Sequence, residues 1–183
     1  MTAFTAQGSM FEGLYGRVLK PSGAFKDELL RAGFDVSAIR PEYPMQVWVD
    51  CLDVTARHKH PGVERFEAWR RIGRDFITGF LDTIAGRLVA VALPFLSPKG
   101  FVTKVPRFMR LGVKELEASV EWRAPTHGVV TLNGPHEGAG FLTAGVVEVC
   151  LERLKVKPTI TPKVLGGTSS QLEVSWQPVA PSA

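Results

Sequence analysis

The spacing of apolar residues changes from about 3.6 to about 2 near residue 114, so one type of secondary structure cannot cover the whole chain. Before residue 114, apolar side chains recur every three or four positions, as in amphipathic helices. After it, apolar and polar residues alternate over 115–123 and again over 154–164, as in half-buried strands. The sequence therefore predicts an α+β fold: an N-terminal helical block followed by a ββαββ unit with a four-stranded, mainly antiparallel sheet.

Four helices are predicted in the first part, over 24–32, 44–59, 63–85 and 98–109, while 11–19 fits either a strand or a helical turn. The longest, 63–85, carries one wide apolar stripe. The stripe consists of Phe66, Trp69, Gly73, Phe76, Ile77, Phe80, Leu81 and Ile84. The apolar run 88–97 is shorter than the roughly 20 residues of a membrane span, and we predict that it belongs to the core.

The second part is predicted to contain strands over 115–123, 129–132, 154–164 and 172–176, with a helix over 137–154. Pro158 and Pro162 have no amide hydrogen to donate, which predicts that the third strand lies at a sheet edge or pairs incompletely. Small residues in the first half of the helix predict a close approach to the structure that it covers.

Composition is that of a globular protein, with 183 residues, 45% of them hydrophobic and 22% charged. We expect a single domain over 1–183, with flexible tails at 1–10 and 178–183. The two cysteines, Cys51 and Cys150, are isolated, and residues 1–10 contain neither a basic nor an apolar secretory region. These features predict a cytoplasmic protein with reduced thiols.

Positive charge is concentrated in the middle of the chain. Residues 57–114 carry twelve Lys or Arg against four Asp or Glu, although the whole chain has a net charge of only +4. The segment fits either a solvated helical face or a patch for an acidic or anionic partner. The candidate patch residues are Arg70, Arg71, Arg74, Lys104, Arg107 and Arg110. Nucleic-acid binding is the less favoured use of such a patch.

Histidines provide two candidate sites. His58 and His60 have no Cys or carboxylate at a ligand-like spacing, and two positions apart on a helix they face nearly opposite sides. The pair His136-Glu137 fits either acid–base chemistry or the start of a helix, and the macrodipole favours the second. We therefore expect no metal ion.

Glycines before the 137–154 helix resemble a phosphate-binding turn. The pattern Gly138-Ala139-Gly140 is followed by Thr143 where a dinucleotide site needs a small residue, and no parallel βαβ unit surrounds it. Close helix packing explains these glycines better. The chain has no Gly-x-Ser-x-Gly, no P-loop and no base beside either cysteine. The sequence predicts no catalytic residue and no cofactor, with an enzyme of unknown reaction as the alternative.

Aromatic residues are numerous in the helical block, and they fit either a packed core or the wall of an apolar pocket. The candidate pocket residues are Trp48, Trp69, Phe76, Phe80, Phe95 and Phe108.

The sequence resembles an uncharacterised paralogous family of myxobacterial proteins along nearly its whole length. The matching stretches are 11–14, 19–25, 29–35, 41–44 with Trp48, 72–77 with Gly79-Phe80, 106–112 and 174–176. The order of elements is more distantly similar to the superfamily of haem nitric-oxide-binding, vinyl-reductase-type ligand-binding and vesicle-tethering domains. Its haem branch requires a proximal His and a Tyr-x-Ser-x-Arg motif, which neither Tyr15 nor Tyr43 begins here, so no haem is expected.

These observations predict a non-enzymatic cytoplasmic domain that acts in signalling as a sensor or an adaptor. A sensor would bind a small apolar or amphipathic molecule. An adaptor would bind an acidic protein partner through the basic segment, or a second copy through an exposed sheet edge, giving a homodimer.

Overall fold

The computed structural model describes residues 4–178, in which a mainly helical first part is followed by a ββαββ unit, as the sequence predicts. The short strands over 5–7 and 42–44 and the separate helix over 84–92 were not predicted. The helices are α1 (Gly8–Phe11), a π-helical segment that continues it (Glu12–Leu19), α2 (Gly23–Arg31), α3 (Met45–Lys59), α4 (Arg65–Phe80), α5 (Ile84–Ala92), a 3-10 turn (Leu93–Phe95), α6 (Pro98–Met109) and α7 (Ala139–Arg153). The strands are β1 (Thr5–Gln7), β2 (Glu42–Pro44), β3 (Glu117–Ala124), β4 (His127–Asn133), β5 (Val156–Gly166) and β6 (Ser169–Pro178).

The main sheet has the strand order β3-β4-β6-β5, and every neighbouring pair is antiparallel. The α+β class and the ββαββ unit are therefore confirmed. Strand β5 lies at an edge, as Pro158 and Pro162 predicted, because an edge strand has one side without ladder hydrogen bonds. Its Ile160 stands opposite Val174 of β6, and both side chains are buried.

Helix α7 packs against both the sheet and α4, and glycines make both contacts close. The amide of Gly140 donates to Ser170 Oγ of β6 at 3.1 Å. A Cβ on Gly145 would overlap the Arg70 carbonyl of α4, and one on Gly73 would overlap the Leu142 carbonyl of α7. The predicted close approach is confirmed, and it involves a helix as well as the sheet.

The predicted helix over 63–85 is wrong at its C-terminal end. Helix α4 ends at Phe80 and α5 begins at Ile84, with the helix that continues to Phe95 bent by 92° from α4. Thr83 sets the corner, because its hydroxyl donates to the Phe80 carbonyl at 2.7 Å and accepts from the Gly86 amide at 3.0 Å. Ile84 leaves the apolar stripe as a result and is 85% exposed.

The prediction that the whole run 88–97 belongs to the core is also wrong. Val89 and Leu93 are buried, whereas Leu88, Val91 and Phe95 project from the surface. Across residues 4–178, no single helix is long and apolar enough to cross a membrane.

Residues 5–19 form regular secondary structure. Strand β1 pairs with β2, placing Ala6 opposite Tyr43, and α1 follows directly, so residues 5–10 are not the predicted tail. The undecided segment 11–19 is helical. Residues 1–3 and 179–183 lie outside the described residues. The single-domain assignment stays a prediction.

Candidate functional site

An apolar cavity of about 90 Å³ lies among α4, α6 and α7. Helix α5 and helix α1 each contribute one side chain to it, and residues 112–113 also line it. The lining residues are Met10, Phe76, Ile77, Phe80, Val89, Phe101, Val105, Phe108, Met109, Gly112, Val113, Leu142, Thr143, Val146, Val147 and Cys150.

Helical spacing explains how the three main helices supply this lining. On α4, Phe76 and Phe80 are four residues apart, so both rings lie on the buried stripe, with centroids 5.3 Å apart. On α6, Phe101, Val105 and Phe108 recur at intervals of four and three and face the same side. The cavity thus forms where three apolar faces meet.

The two lining residues with polar or ionisable side chains are uncharged. The Thr143 hydroxyl donates to the Ala139 carbonyl of its own helix at 2.8 Å and lies 3.7 Å from Met109 Sδ. Burial raises the pKa of the Cys150 thiol to about 12, so it stays protonated at neutral pH. Among the described lining residues, none offers a charge to a bound molecule.

The predicted pocket residues divide into three groups. Phe76, Phe80 and Phe108 line the cavity. Trp48 and Trp69 are fully buried elsewhere: Trp48 packs edge-on to Phe76, and Trp69 donates from Nε1 to an Asp53 carboxylate oxygen at 3.1 Å. Phe95 faces away from the core and is 87% exposed.

Most lining residues were not among the pocket residues predicted from the sequence. They are Met10, Ile77, Val89, Phe101, Val105, Met109, Gly112, Val113, Leu142, Thr143, Val146, Val147 and Cys150. The spacing of apolar residues along the helices predicts that most of them are buried. A buried residue beside a cavity has the same spacing as a buried residue that is packed on all sides. No local signal separates the two cases.

The predicted basic patch is divided by ion pairs. Arg70 pairs with Glu148 of α7, and Arg74 pairs with Glu148 at 3.2 Å and with Glu152 at 2.9 Å. Arg71 lies 3.6 Å from Glu67 on its own helix. Acidic residues of α7 thus compensate the positive charge of Arg70 and Arg74, and the basic patch as a binding surface stays a prediction.

The α6 half of the predicted patch is different. Lys104, Arg107 and Arg110 are exposed, and within residues 4–178 none of them forms an ion pair. The Arg110 guanidinium is directed at the Leu116 carbonyl, with its Nε 3.4 Å away. The free positive charge of this region is thus on α6.

The histidines form neither an acid–base pair at His136-Glu137 nor, among the described residues, a metal site at His58 and His60. A ring nitrogen of His136 lies 2.8 Å from the backbone carbonyl of Glu137, not from its carboxylate, and the ring packs edge-on to Trp69. His58 pairs with Glu28 at 3.1 Å. In the part of the chain that the structure describes, no three His, Cys, Asp or Glu side chains are grouped as metal ligands.

A family model described as "Protein of unknown function (DUF2378)" matches residues 4–177. The predicted resemblance to an uncharacterised family is confirmed in this respect, and a myxobacterial source stays a prediction. No curated protein matches the chain.

Solved structures of H-NOX proteins have a similar fold. An H-NOX protein from S. oneidensis in the Fe(II)NO ligation state is 13% identical with a TM-score of 0.71, over 93% of this chain and 99% of that one. The Fe(II) unliganded H-NOX protein from K. algicida is 11% identical with a TM-score of 0.71, over 97% and 100%. An oxygen-binding H-NOX domain related to soluble guanylate cyclases is 15% identical with a TM-score of 0.67, over 96% of this chain and 96% of that one. The predicted distant similarity to haem nitric-oxide-binding domains is confirmed for the fold.

Proposed function

Because the chain belongs to the DUF2378 family of unknown function, no activity comes with its family, and we propose that it is a non-enzymatic sensor that binds a small apolar molecule. The cavity among α4, α6 and α7 is the binding site. Its lining is the single observation that carries the proposal, since its side chains are apolar apart from Thr143 and Cys150.

The chemistry of the lining specifies the class of ligand. The Thr143 hydroxyl already donates to a helix carbonyl, and the Cys150 thiol is a weak donor that burial keeps protonated. A polar ligand would therefore lose its hydrogen bonds to water without replacing them. Dry apolar cavities of about 150 Å³ bind benzene or xenon, so a cavity of about 90 Å³ suits a molecule of a few heavy atoms.

The solved neighbours raise the question of haem, and the residues here do not fit it. Haem iron takes a His, a Cys thiolate, a Met paired with a His, or a Tyr as axial ligand. Among the described lining residues there is neither His nor Tyr, and Cys150 is a protonated thiol. Within residues 4–178, no Lys or Arg lines the cavity to pair with propionates, and the cavity volume is below the roughly 300–1,000 Å³ of pockets for drug-sized ligands.

The same lining supports binding without catalysis. General acid–base catalysis needs a group that exchanges a proton near neutral pH, and nucleophilic catalysis needs an activated nucleophile. Of the lining residues in the described part of the chain, Cys150 alone is ionisable, and burial raises its pKa away from neutrality. Both cysteines are free and buried, which supports the cytoplasmic location predicted from sequence. An acidic protein partner and a homodimer stay predictions.

Ligand binding would be transmitted through the segment that covers the cavity. Val89 of α5 and Phe101, Val105 and Phe108 of α6 all contact the same space from residues 84–109. A ligand that fills the space changes the packing between this segment and α7, and packed interfaces respond by shifting as units.

Xenon and benzene test the proposal on the purified full chain. We expect methyl resonances of Val105 and Val147 to shift on titration with either probe, and the melting temperature to rise with probe concentration. A Val105→Ile variant adds one methylene to the cavity and should weaken binding. Stability should be unchanged or higher, because the methylene fills space.

Val102→Ile is the matched control. Val102 is fully buried on the same helix but does not line the cavity. The same change there should lower the free energy of unfolding by about 1–3 kcal/mol, because the added methylene overpacks the core. Absence of any methyl shift with both probes, or equal costs for the two variants, would contradict the proposed site.

A further inference from the structure

Helix α5 and the 3-10 turn after it expose a continuous apolar stripe. Its members are Ile84, Leu88, Val91 and Phe95, and their exposed fractions are 85%, 71%, 70% and 87%. At about 100° per residue, Ile84, Leu88 and Val91 lie within an arc of roughly 60° on one side of α5, and Phe95 follows them in the 3-10 turn. We call this set the outer stripe.

The opposite side of the same segment is also apolar, because Val89 and Leu93 are buried against the core. Arg87 is the one charged residue between positions 84 and 95, and it flanks the outer stripe. A helix that is hydrophobic all round is normally covered on all sides. The stripe thus has the composition of a buried surface, and a contiguous exposed patch of this kind marks an interaction site.

Positive charge accompanies the stripe. Residues 84–110 contain Arg87, Lys99, Lys104, Arg107 and Arg110 and no acidic residue. None of these five cations forms an ion pair within the described part of the chain. Arg87 flanks the stripe and the other four cations follow it along the chain, so a partner that offers both an apolar phase and negative charge fits this surface.

A second copy of the chain meets only the first requirement. A twofold interface on the outer stripe would place Arg87 of both copies in one contact without an acidic partner from residues 84–95, and like charges there repel. An anionic lipid bilayer meets both requirements, since interfacial helices bury an apolar face below headgroups that attract Lys and Arg. We propose that the outer stripe docks the protein on the surface of an anionic membrane.

Vesicle sedimentation of the full chain tests this proposal independently of the cavity. We expect the protein to sediment with vesicles of phosphatidylcholine and phosphatidylglycerol, less so at high salt, and weakly with phosphatidylcholine alone. The Leu88→Ser/Phe95→Ser variant should bind at least about tenfold more weakly, because the apolar area that enters the bilayer is reduced. The Lys104→Glu/Arg107→Glu variant should also bind the anionic vesicles more weakly, by about fivefold for each cationic residue that is removed.

Matched controls are available on other surfaces. Leu30 on α2 and Leu165 in β5 are 55% and 50% exposed. Leu30→Ser and Leu165→Ser should therefore leave vesicle binding unchanged. All substituted residues are exposed, so circular dichroism and melting temperature should match the wild type.

A site-specific probe reports which surface enters the lipid. Cys51 and Cys150 are buried, so a thiol-reactive nitrobenzoxadiazole dye will label a Leu88→Cys variant selectively. Its emission should shift to the blue with anionic vesicles, while the dye on a Leu30→Cys variant should not respond.

Three results would overturn the proposal. The first is failure of the wild type to sediment with anionic vesicles, and the second is equal binding to both vesicle types. The third is a wild-type dimer in solution that Leu88→Ser dissociates, without vesicle binding, which would assign the outer stripe to contact between copies.

Discussion

At the scale of single residues, Phe80 both lines the cavity and packs in the core. Its ring contributes to the cavity wall beside Phe76, and its backbone at the end of α4 packs closely against Gly13 of the π-helical segment. The side chain is 5% exposed, so it acts both as core and as lining. Sequence reasoning offered these two roles as alternatives, and the structure gives both to one ring.

Truncation of this ring should enlarge the cavity. We expect Phe80→Ala to lower the free energy of unfolding by about 3–5 kcal/mol, because the contacts of the ring are lost and space remains. Benzene should then bind more tightly than to the wild type and restore part of the melting temperature. Urea unfolding with and without benzene measures both effects. A variant that loses stability but gains no benzene response would show that the site collapses instead of opening.

His136 gives stability a defined dependence on pH. Burial lowers its pKa from the ordinary 6.5, and the nearby Arg65 lowers it further, while the Glu137 carbonyl acts in the opposite direction. The unfolded chain therefore binds more protons than the folded one at mildly acidic pH, and stability rises with pH. The contribution is complete above the unfolded pKa and is lost as pH falls through the interval down to the folded pKa.

Replacement of this histidine should flatten that dependence. Between about pH 7.5 and about pH 5, the urea midpoint of wild type should fall more steeply than that of His136→Gln. His60→Gln should act in the same direction, because burial also lowers that pKa. Parallel curves for wild type and His136→Gln would contradict the assignment.

At the scale of elements, the crossing of α4 and α7 holds the cavity walls in place. Gly73 and Gly145 let each backbone approach the other to the distance at which a Cβ would overlap a carbonyl oxygen. Arg74 reaches Glu148 and Glu152 across the same crossing. Close backbone contact and charge pairing therefore fix two of the three helices that line the cavity.

A single methyl group should disturb this crossing. Gly145→Ala forces the backbones of α4 and α7 apart, since a carbonyl cannot move as a flexible side chain can, and we expect a loss of at least about 3 kcal/mol. Gly16→Ala is the control, because its Cβ would meet only Glu12 Cγ at 3.7 Å. That change should be neutral or stabilising by up to about 1 kcal/mol. Thermal unfolding of both variants distinguishes a packing constraint from a general effect of glycine.

At the scale of the whole molecule, the fold is similar to that of H-NOX proteins, but the described residues that line the cavity include no suitable haem ligand. The solved neighbours superpose over nearly the full chain, yet identities of 11–15% leave the site chemistry to the individual sequence. Folds are shared among many functions, and the residues of the site decide which one is present. Here those residues favour an uncharged occupant.

The absence of haem chemistry can be tested on the intact protein. Incubation with haemin should give no stoichiometric, saturable Soret band, because the described lining residues supply no suitable axial ligand. Treatment with a chelator should leave the melting temperature unchanged. A one-to-one Soret titration, or a loss of stability in the chelator, would contradict this prediction.

Much of the fold follows from local pattern, since periodicity records which face of each element is buried. The alternation around Val120 and Ile160 placed two strands correctly, and Pro158 and Pro162 put β5 at the edge because proline lacks an amide donor. The end of α2 at Gly33, which has a φ of +96°, was equally local. Such features depend on a few neighbouring residues, so the sequence by itself determined them.

Tertiary structure alone decided the site and the outer stripe. In the sequence, Phe76 and Trp48 both lie on the apolar face of a predicted helix. The packing of α4, α6 and α7 places Phe76 beside the cavity, whereas Trp48 does not line it. Leu88 and Val89 are adjacent and apolar, yet the corner at Thr83 turns α5 so that one is exposed and the other buried. Contacts between distant elements determine cavities and exposed faces, and hydrophobic spacing within one element contains no information about its partners.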